Sequence, residues 1–333
     1  MDAAAPGPAQ PPLVVVLTGD DAPPNLRAAE ALARVRLVRE PDLAAALPGA
    51  DVLFVWDFWT EAVAAAWPPS GGPDWVHIAS AGVDRLLFPA LVESGTVVTN
   101  SRGVFDEPIA EYVLGLVIAL AKDLHGTVRL QGERRWRHRE TERITGAHAL
   151  VVGTGPIGRA IGRRLTGAGL VVSGVGRTAR DADPDLGTVH PMERLGEALA
   201  DADYVVLAAP LTDATRDMID AAALRRMRPS ARLINVGRGQ LVVQDDLVAA
   251  LRADVIAGAA LDVFVDEPLP ASSPLWGMPN VIVSPHMSGD ATGWREELVR
   301  VFTENLACRV EGRPLRNVVD KRLGYVGSRG VQG

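Results

Sequence analysis

The fold is decided by a short stretch in the middle of the chain, which reads Ala149-Leu-Val-Val152-Gly153-Thr-Gly155-Pro-Ile-Gly158. Four apolar residues are typical of a buried strand, and the glycines follow at the spacing G-x-G-x-x-G before a helical pattern at 157–168. Glycine here permits a tight turn, a close approach of backbone to a pyrophosphate, and tight helix–strand packing. The helix N-terminus offers free N–H groups to the phosphates. The stretch predicts a dinucleotide site, with a purely structural turn or another nucleotide-type ligand as the alternative.

The same alternation of strand and helix extends in both directions from this motif. Strands are predicted at 13–17, 52–56, 75–79, 96–99, 170–175, 204–208, 232–236, 256–261 and 281–284. Helices are predicted at 25–35 and at 106–124, the second with Asp106 as its N-cap and apolar nearly all round. This order favours an α/β fold, a doubly wound parallel sheet with helices on both faces.

Length and composition limit the classes of protein to which the chain can belong. Its 333 residues are 47% hydrophobic and 23% charged, which predicts about two globular domains. The net charge of −7 argues against nucleic-acid binding, which normally needs a basic surface. No apolar run reaches the ~20 residues of a membrane span, and the start does not read as a signal peptide, so we predict a cytoplasmic location and no membrane partner.

The chain has a single cysteine, Cys308. One cysteine excludes an internal disulfide and a cysteine zinc cluster, and we predict that Cys308 is buried on a C-terminal helix.

The residues after the second strand of the motif predict which dinucleotide is preferred. An NAD site usually carries an acid there for the ribose 2′-hydroxyl. This chain has Gly176 followed by Arg177-Thr178-Ala179-Arg180 instead. Guanidinium and hydroxyl groups bind a 2′-phosphate, which an acid would repel, so we predict NADP(H) over NAD(H). The alternative is that these arginines only solvate a loop, in a chain where all basic residues but Lys122 and Lys321 are arginine.

Three later segments contain the residue types of an acid–base site. They are Asn235-Val-Gly-Arg238-Gly239, Leu261 to Pro270 with Asp262 and Glu267, and Ser284-Pro-His286. Each lies at or just after the carboxyl end of a predicted strand, where open α/β sheets bind ligands. Arginine clamps anions, a carboxylate orients an imidazole, and histidine carries protons near neutral pH. The trio alone, spread over fifty residues, is not specific.

Together these motifs resemble the D-isomer-specific 2-hydroxyacid dehydrogenases, most closely the glyoxylate/hydroxypyruvate reductase branch. The resemblance rests on Ala209-Pro210-Leu211-Thr212 with Thr215, on the Val236–Gly239 turn, on Leu261–Pro270 and on Ser284-Pro-His286. It extends in outline over nearly all of the chain. It implies reduction of a small 2-keto acid to the D-2-hydroxy acid, with hydride from NAD(P)H and without a metal.

The resemblance also implies roles for individual residues. His286 would be the general acid and base, Glu267 would hold it, and Arg238 would bind the substrate carboxylate and polarise its carbonyl. The loop Ser80–Asp84 would bind the carboxylate through the backbone N–H groups of Ala81, Gly82 and Val83, although the residues alone read as an ordinary turn. Asp262 would contact the nicotinamide carboxamide. The remaining cofactor contacts would come from Gly153, Gly155, Pro156, Ile157, Gly158, Arg177, Thr178, Arg180, Ala209, Pro210, Thr215, Val236 and Ser288.

The family's architecture implies two Rossmann-like domains of doubly wound parallel sheet. A cofactor domain at 100–289 would be inserted into a discontinuous substrate domain at 1–99 and 290–333. Family members are usually homodimers joined through the cofactor domain, which fits the apolar 106–124 helix. Two alternatives stay open: a dinucleotide-sensing, corepressor-like binding protein of the same family, and a dehydrogenase of a bulkier D-2-hydroxy acid. The basic run Arg134–Arg139 either attracts anionic substrate or is a solvated loop.

Overall fold

Two compact units make up the protein in a computed structural model that describes residues 10–70 and 72–327. One unit contains the described residues up to Val104 together with those from Gly293 onward, and the other runs from Phe105 to Thr292. The chain therefore leaves the first unit once and returns to it once. These boundaries lie a few residues beyond those predicted at 99/100 and 289/290.

The first unit is built on a five-stranded parallel sheet with the strand order β2-β1-β3-β4-β5. Strands β1 and β3 are continuous apolar runs, and β4 is apolar apart from His77; nearly all of their residues are buried, as expected where helices cover a parallel sheet. Its elements up to the crossing are β1 (Leu13–Leu17), α1 (Arg27–Glu30), β2 (Arg34–Val38), α2 (Glu40–Ala46), β3 (Val52–Val55), α3 (Ala62–Ala66), β4 (Trp75–Ile78), α4 (Pro89–Glu93) and β5 (Val97–Asn100).

The second unit contains an eight-stranded sheet that is parallel except at one edge. Its elements are α5 (Asp106–Ala121), α6 (Leu124–Gly132), β6 (His148–Val152), α7 (Pro156–Gly167), β7 (Val171–Gly176), β8 (Arg180–Asp183), β9 (Gly187–Pro191), α8 (Leu195–Asp201), β10 (Tyr204–Leu207), α9 (Ala221–Arg226), β11 (Arg232–Asn235), α10 (Gln244–Arg252), β12 (Gly258–Leu261) and β13 (Val281–Val283). The strand order is β13-β12-β11-β10-β6-β7-β9-β8. The chain then re-enters the first unit with α11 (Trp294–Val310), where Cys308 is buried as predicted. The predicted α/β class with parallel sheets is confirmed.

The predicted helix at 25–35 is wrong for most of its length. Asn25 adopts the left-handed conformation (φ 50°), and only Arg27–Glu30 is helical. The chain then forms β2, whose residues pair with β1 in the register Val15 with Arg36. This edge strand is largely exposed, so its mixture of apolar and basic residues resembles an amphipathic helix in the sequence. Pairing with a distant strand overrides that local pattern.

The predicted helix at 106–124 ends three residues early, at Ala121, and a second helix, α6, begins at Leu124. Asp123 takes the left-handed conformation (φ 46°), and its carboxylate accepts a hydrogen bond from Gly126 N–H at 3.1 Å, which caps α6. A capping residue in this conformation ends one helix and begins the next. Asp106 is not the N-cap of α5 but stands in its first turn, after Phe105.

A hairpin of β8 and β9 is absent from the prediction. β8 pairs with β9 in the antiparallel sense, and β9 continues the parallel sheet beside β7. The hairpin is short and largely polar, so it carries no clear strand pattern in the sequence. It changes the surroundings of Arg180, which the sequence places in a simple loop.

The core of the first unit contains one fully buried histidine. His77 on β4 lies against Phe54 and Phe302, with Nδ1 2.7 Å from Thr99 Oγ1 and Nε2 3.3 Å from Ser101 Oγ. Burial lowers the pKa of His77 from 6.5 to about 3, because the charged imidazolium loses its hydration there. This histidine is therefore neutral in the folded protein at physiological pH.

This buried histidine predicts a loss of stability in mild acid. Below pH 6.5 the unfolded chain binds a proton at His77 that the folded protein does not bind, so the free energy of unfolding falls as the pH drops towards about 3. Between pH 7 and pH 5 the expected loss from this residue is about 2 kcal/mol. Urea unfolding at both pH values measures it. The variant His77→Gln should lose about 2 kcal/mol less than the wild type over this interval.

The exposed His138 supplies the control for this measurement. His138→Gln should follow the wild-type pH dependence. Parallel curves for the wild type and His77→Gln would contradict the assignment of the acid sensitivity to His77.

Membrane-spanning helices and metal-binding clusters are both absent from the residues that the structure describes. Within 10–70 and 72–327, no helix has the length and apolar character needed to cross a bilayer. In the same part of the chain, no cluster of three or more histidine, cysteine or acidic side chains is placed so that it could hold a metal ion. The cytoplasmic location and the absence of a nucleic-acid partner stay predictions.

Candidate active site

Most predicted site residues of the second unit lie along one edge of its sheet. The glycine loop follows β6, Arg177 follows β7, Ala209 and Pro210 follow β10, and Arg238 follows β11. Because these strands are parallel, their carboxyl ends lie on the same side of the sheet. The order β10-β6-β7 also places the reversal of winding direction beside β6, where open α/β sheets bind ligands.

The glycine loop fits a dinucleotide in three separate ways. Gly153 has φ 112°, and a Cβ on it would lie 2.6 Å from the backbone of Ala208. A Cβ on Gly158 would lie 1.8 Å from the carbonyl oxygen of Gly153, so only glycine lets α7 pack this closely. A Cβ on Gly155 would meet no protein atom within 4 Å. The loop is thus closed on its protein side at Gly153 and Gly158 and open at Gly155, where a pyrophosphate would approach.

The loop after β7 divides the three predicted phosphate ligands into two environments. Arg177 and Thr178 are exposed. Arg180 lies on β8 with its Nε 2.8 Å from the carboxylate of Asp183, whose side chain is only 1% exposed. The same carboxylate accepts two hydrogen bonds from Arg159 at 2.8 and 2.9 Å. Arg180 is therefore partly engaged as a counter-ion, whereas the side chain of Arg177 is exposed.

His286 and Glu267 form the hydrogen-bonded pair that the sequence predicts. His286 Nδ1 lies 2.9 Å from Glu267 Oε2, and Glu267 Oε1 accepts a hydrogen bond from Phe264 N–H at 2.9 Å. Burial raises the pKa of Glu267, but the hydrogen bond and charge of His286 and the N–H of Phe264 outweigh it and hold that pKa below its usual range. Glu267 is consequently a carboxylate at neutral pH. It holds the imidazole through Nδ1 and so fixes the orientation of the ring.

Asp262 fixes the backbone that carries His286. The histidine has φ 51°, a conformation that side chains rarely adopt, and its N–H donates to the carbonyl of Asp262 at 2.8 Å. The fully buried Asp262 carboxylate accepts from Ser284 Oγ at 2.7 Å, Met287 N–H at 3.0 Å and Ser288 N–H at 2.9 Å. These bonds face inward, towards the turn. The predicted contact of Asp262 with the nicotinamide stays a prediction.

Arg238 stands on a turn that a neighbouring asparagine braces. Asn235, the last residue of β11, donates from Nδ2 to the carbonyl of Arg238 at 2.9 Å and accepts from Gly237 N–H at 3.1 Å. A Cβ at Gly239 would lie 1.9 Å from the backbone of Phe264, so glycine permits the close approach of this turn to the segment that carries Glu267. The sequence alone assigned no role to Asn235. An asparagine before a glycine turn is the signal that would have identified it.

The remaining predicted cofactor residues lie around the same edge and differ in exposure. Thr215 is buried, and its hydroxyl donates to the carbonyl of Pro210 at 2.7 Å, which shapes the loop after β10. Pro210 is exposed. The half-buried residues are Pro156 and Ile157, and the buried ones are Ala209, Val236 and Ser288.

The predicted carboxylate loop belongs to the first unit. Ala81, Gly82 and Val83 directly follow β4, at the carboxyl edge of that sheet. Ala81 and Gly82 are half-buried and Val83 is buried.

The basic run Arg134–Arg139 belongs to the second unit. Arg139 binds Asp123 through Nε at 2.5 Å, whereas Arg134 and Arg137 are exposed.

Comparison with known proteins decides the family. A model of the family described as D-isomer specific 2-hydroxyacid dehydrogenase, NAD binding domain, matches residues 114–288. That is more than half of the chain. The chain belongs to the D-isomer-specific 2-hydroxyacid dehydrogenase family. The resemblance found in the sequence is confirmed, and with it the assignment as an oxidoreductase with an NAD(P)-binding domain.

The chain is similar in sequence and in fold to members of this dehydrogenase family over most of its length. A glyoxylate reductase from Korarchaeum cryptofilum is 33% identical over 75% of this chain and 77% of that protein. A D-isomer specific 2-hydroxyacid dehydrogenase from Xanthobacter autotrophicus, solved with NADPH and MES, is 32% identical with a TM-score of 0.79, over 94% of this chain and 99% of that one. An NADPH-dependent glyoxylate/hydroxypyruvate reductase from Sinorhizobium meliloti, solved with NADP and sulfate, is 26% identical with a TM-score of 0.80, over 95% and 100% of the two chains.

Proposed function

We propose that this dehydrogenase uses NADPH to reduce a small 2-keto acid of the glyoxylate/hydroxypyruvate class to the D-2-hydroxy acid. The observation that carries the proposal is the Glu267–His286 pair, joined at 2.9 Å at the same sheet edge as Arg238 and the glycine loop. The names of the relatives support the substrate class. When bound, the nicotinamide supplies the hydride.

The protein's own residues supply the proton and the charge stabilisation. His286 carries a proton on Nε2 and transfers it to the substrate carbonyl oxygen as negative charge develops there. Glu267, ionised because of its lowered pKa, stabilises the imidazolium before the transfer and keeps the ring oriented after it. Arg238 binds the carboxylate and stabilises the developing oxyanion. The reverse reaction uses His286 as the base.

The experiment that tests this function is a comparison of substrates and cofactors. Initial rates of NADPH and NADH oxidation are measured with glyoxylate, hydroxypyruvate, pyruvate, phenylpyruvate and 2-ketoisocaproate. We expect turnover with the small acids, faster with NADPH. Preference for the last two acids would instead assign a bulkier D-2-hydroxy acid. Tight cofactor binding without turnover of any acid would favour the dinucleotide-sensing protein.

The cofactor preference should depend mainly on Arg177. A charge-assisted hydrogen bond to phosphate contributes about 1.5–3 kcal/mol, so Arg177→Ala should raise KM for NADPH by roughly 10- to 100-fold and leave KM for NADH nearly unchanged. Arg180→Ala should have a smaller effect, because Nε of Arg180 already faces Asp183. The double variant should remove the preference.

A surface arginine of the same unit provides the control for these variants. Arg194 pairs with Glu197 on the polar side of α8, and Arg194→Ala should leave both KM values unchanged. An unaltered ratio of the two KM values in the double variant would refute the phosphate role of this loop.

We further propose a homodimer joined through the second unit. Three apolar side chains on α6 and shortly after it are exposed: Leu124 (46%), Val128 (67%) and Trp136 (101%). Exposed apolar groups of this size are typical of an interface. Sedimentation equilibrium should give twice the mass of one chain, and a monomer at micromolar concentration would exclude this dimer.

A further inference from the structure

The loop Ser80–Asp84, predicted to bind the substrate carboxylate, is held in place by hydrogen bonds from Ser80, Asn100 and Ser101. Three successive carbonyl groups of this loop each accept a hydrogen bond from the protein. The carbonyl of Ser80 accepts from Ser101 N–H at 2.9 Å, that of Ala81 from Asn100 Nδ2 at 2.6 Å, and that of Gly82 from Ser80 Oγ at 2.5 Å.

Fixing these carbonyls also fixes the N–H groups of the loop. In a trans peptide the carbonyl of one residue and the N–H of the next point in opposite directions within one plane. The carbonyls of Ser80, Ala81 and Gly82 point towards the groups that donate to them. The N–H groups of Ala81, Gly82 and Val83 therefore point away from those donors. Among the residues that the structure describes, none accepts a hydrogen bond from these three N–H groups.

The unpaired amide of the buried Val83 indicates a ligand, and the amides of the half-buried Ala81 and Gly82 lie next to it in the chain. Val83 is only 1% exposed, and backbone N–H groups in buried residues nearly always have a partner. Three adjacent donors without an acceptor suit a carboxylate, whose two oxygens accept several hydrogen bonds.

Asn100 is itself rigidly placed. It is the last residue of β5, its side chain is 3% exposed, and its Oδ1 accepts from Arg102 N–H at 3.3 Å. Its backbone N–H and carbonyl are bonded to the backbone and side chain of Asn317, both at 3.3 Å. The amide is thus anchored at every polar group and has one orientation in which to hold Ala81.

We infer that Asn100 and Ser80 are positioning residues of the substrate-carboxylate site, which hold the peptide planes of Ala81–Val83 with their N–H groups towards the substrate. The inference rests on the proposed function, because it takes this loop as the carboxylate site. Neither side chain contacts the reacting atoms. Each acts through the carbonyl that it holds.

The test separates substrate binding from turnover. Asn100→Ala should raise KM for the 2-keto acid about tenfold, and also the inhibition constant of oxamate, a carboxylate analogue of a 2-keto acid. The dissociation constant of NADPH should not change, and kcat should change by less than about threefold. Ser80→Ala should raise KM about threefold, and Ser80→Thr, which keeps the hydroxyl, should restore it.

Asn305 is a matched control in the same unit. It is 1% exposed, donates from Nδ2 to the carbonyl of Arg316 at 3.1 Å and accepts from Arg316 N–H at 2.8 Å, but it does not touch the loop. Asn305→Ala should lower the melting temperature and leave KM unchanged. A KM that rises equally in Asn305→Ala, or stays within twofold of wild type in Asn100→Ala, would overturn the inference.

The inference stays testable if Asn100→Ala fails to fold, and also if the proposed function is wrong. If Asn100→Ala does not fold, the Ser80→Ala and Ser80→Thr pair decides through KM alone. If the wild type reduces none of the acids, the proposed function fails, and oxamate binding measured by calorimetry decides the inference. Binding that weakens in the Asn100 and Ser80→Ala variants supports it, and no binding to the wild type refutes it.

Discussion

We expect His286→Gln to lower kcat for 2-keto acid reduction by about a thousandfold. Glutamine keeps a side-chain amide that can hydrogen-bond to Glu267, but it cannot give a proton to the substrate oxygen. Positioned general acids contribute roughly 10²- to 10⁴-fold to rate, and the proposed function assigns this role to His286. The single-turnover rate with NADPH at saturating glyoxylate measures the effect directly.

The cofactor site should be intact in this variant. The glycine loop and Arg177 lie outside the Glu267–His286 pair, so the dissociation constant of NADPH should stay within about threefold of wild type. His190→Gln, which replaces a histidine with no site role, should retain full kcat. A rate for His286→Gln within tenfold of wild type would exclude this histidine as the general acid.

Arg238 should produce the second largest effect, and on a different kinetic constant. In the proposed mechanism, Arg238→Ala removes both the carboxylate clamp and a donor to the developing oxyanion, so kcat/KM should fall by about a thousandfold, equivalent to roughly 4 kcal/mol. Arg238→Lys keeps the charge but loses the planar fork, and its kcat/KM should fall by about a hundredfold. Steady-state kinetics across glyoxylate concentrations measures both variants.

Small guanidinium ions distinguish a lost functional group from a distorted turn. Added guanidinium should recover part of the activity of Arg238→Ala and none of that of Arg238→Lys. Arg252→Ala, on the exposed end of α10, should behave as wild type. Full activity in Arg238→Lys would show that a point charge suffices and that two-pronged recognition of the carboxylate is unnecessary.

Local sequence chemistry was sufficient for the fold class and the dinucleotide motif, whereas the roles of Arg238, Glu267 and His286 were implied by the family resemblance. A β-branched run followed by G-x-G-x-x-G needs only neighbouring residues to form a strand, a turn and a helix N-terminus. Likewise Arg238, Glu267 and His286 each follow a strand, and parallel strands bring such positions to one edge without further information. The hydrogen bond between Glu267 and His286 therefore agrees with the prediction from sequence.

Tertiary structure decided what depends on distant partners. Residues 34–38 form a strand because β1 lies beside them, and the carboxylate of Asp183 on β8 is held by Arg159 of α7, 24 residues earlier. Asn100 holds Ala81 across a separation of 19 residues. None of these pairings leaves a local periodicity, because each hydrogen bond or ion pair joins segments that only the assembled sheets bring together. The sequence by itself determined the order of strand, turn and helix and the residue types at the sheet edge, and the tertiary structure determined which groups hold those residues in place.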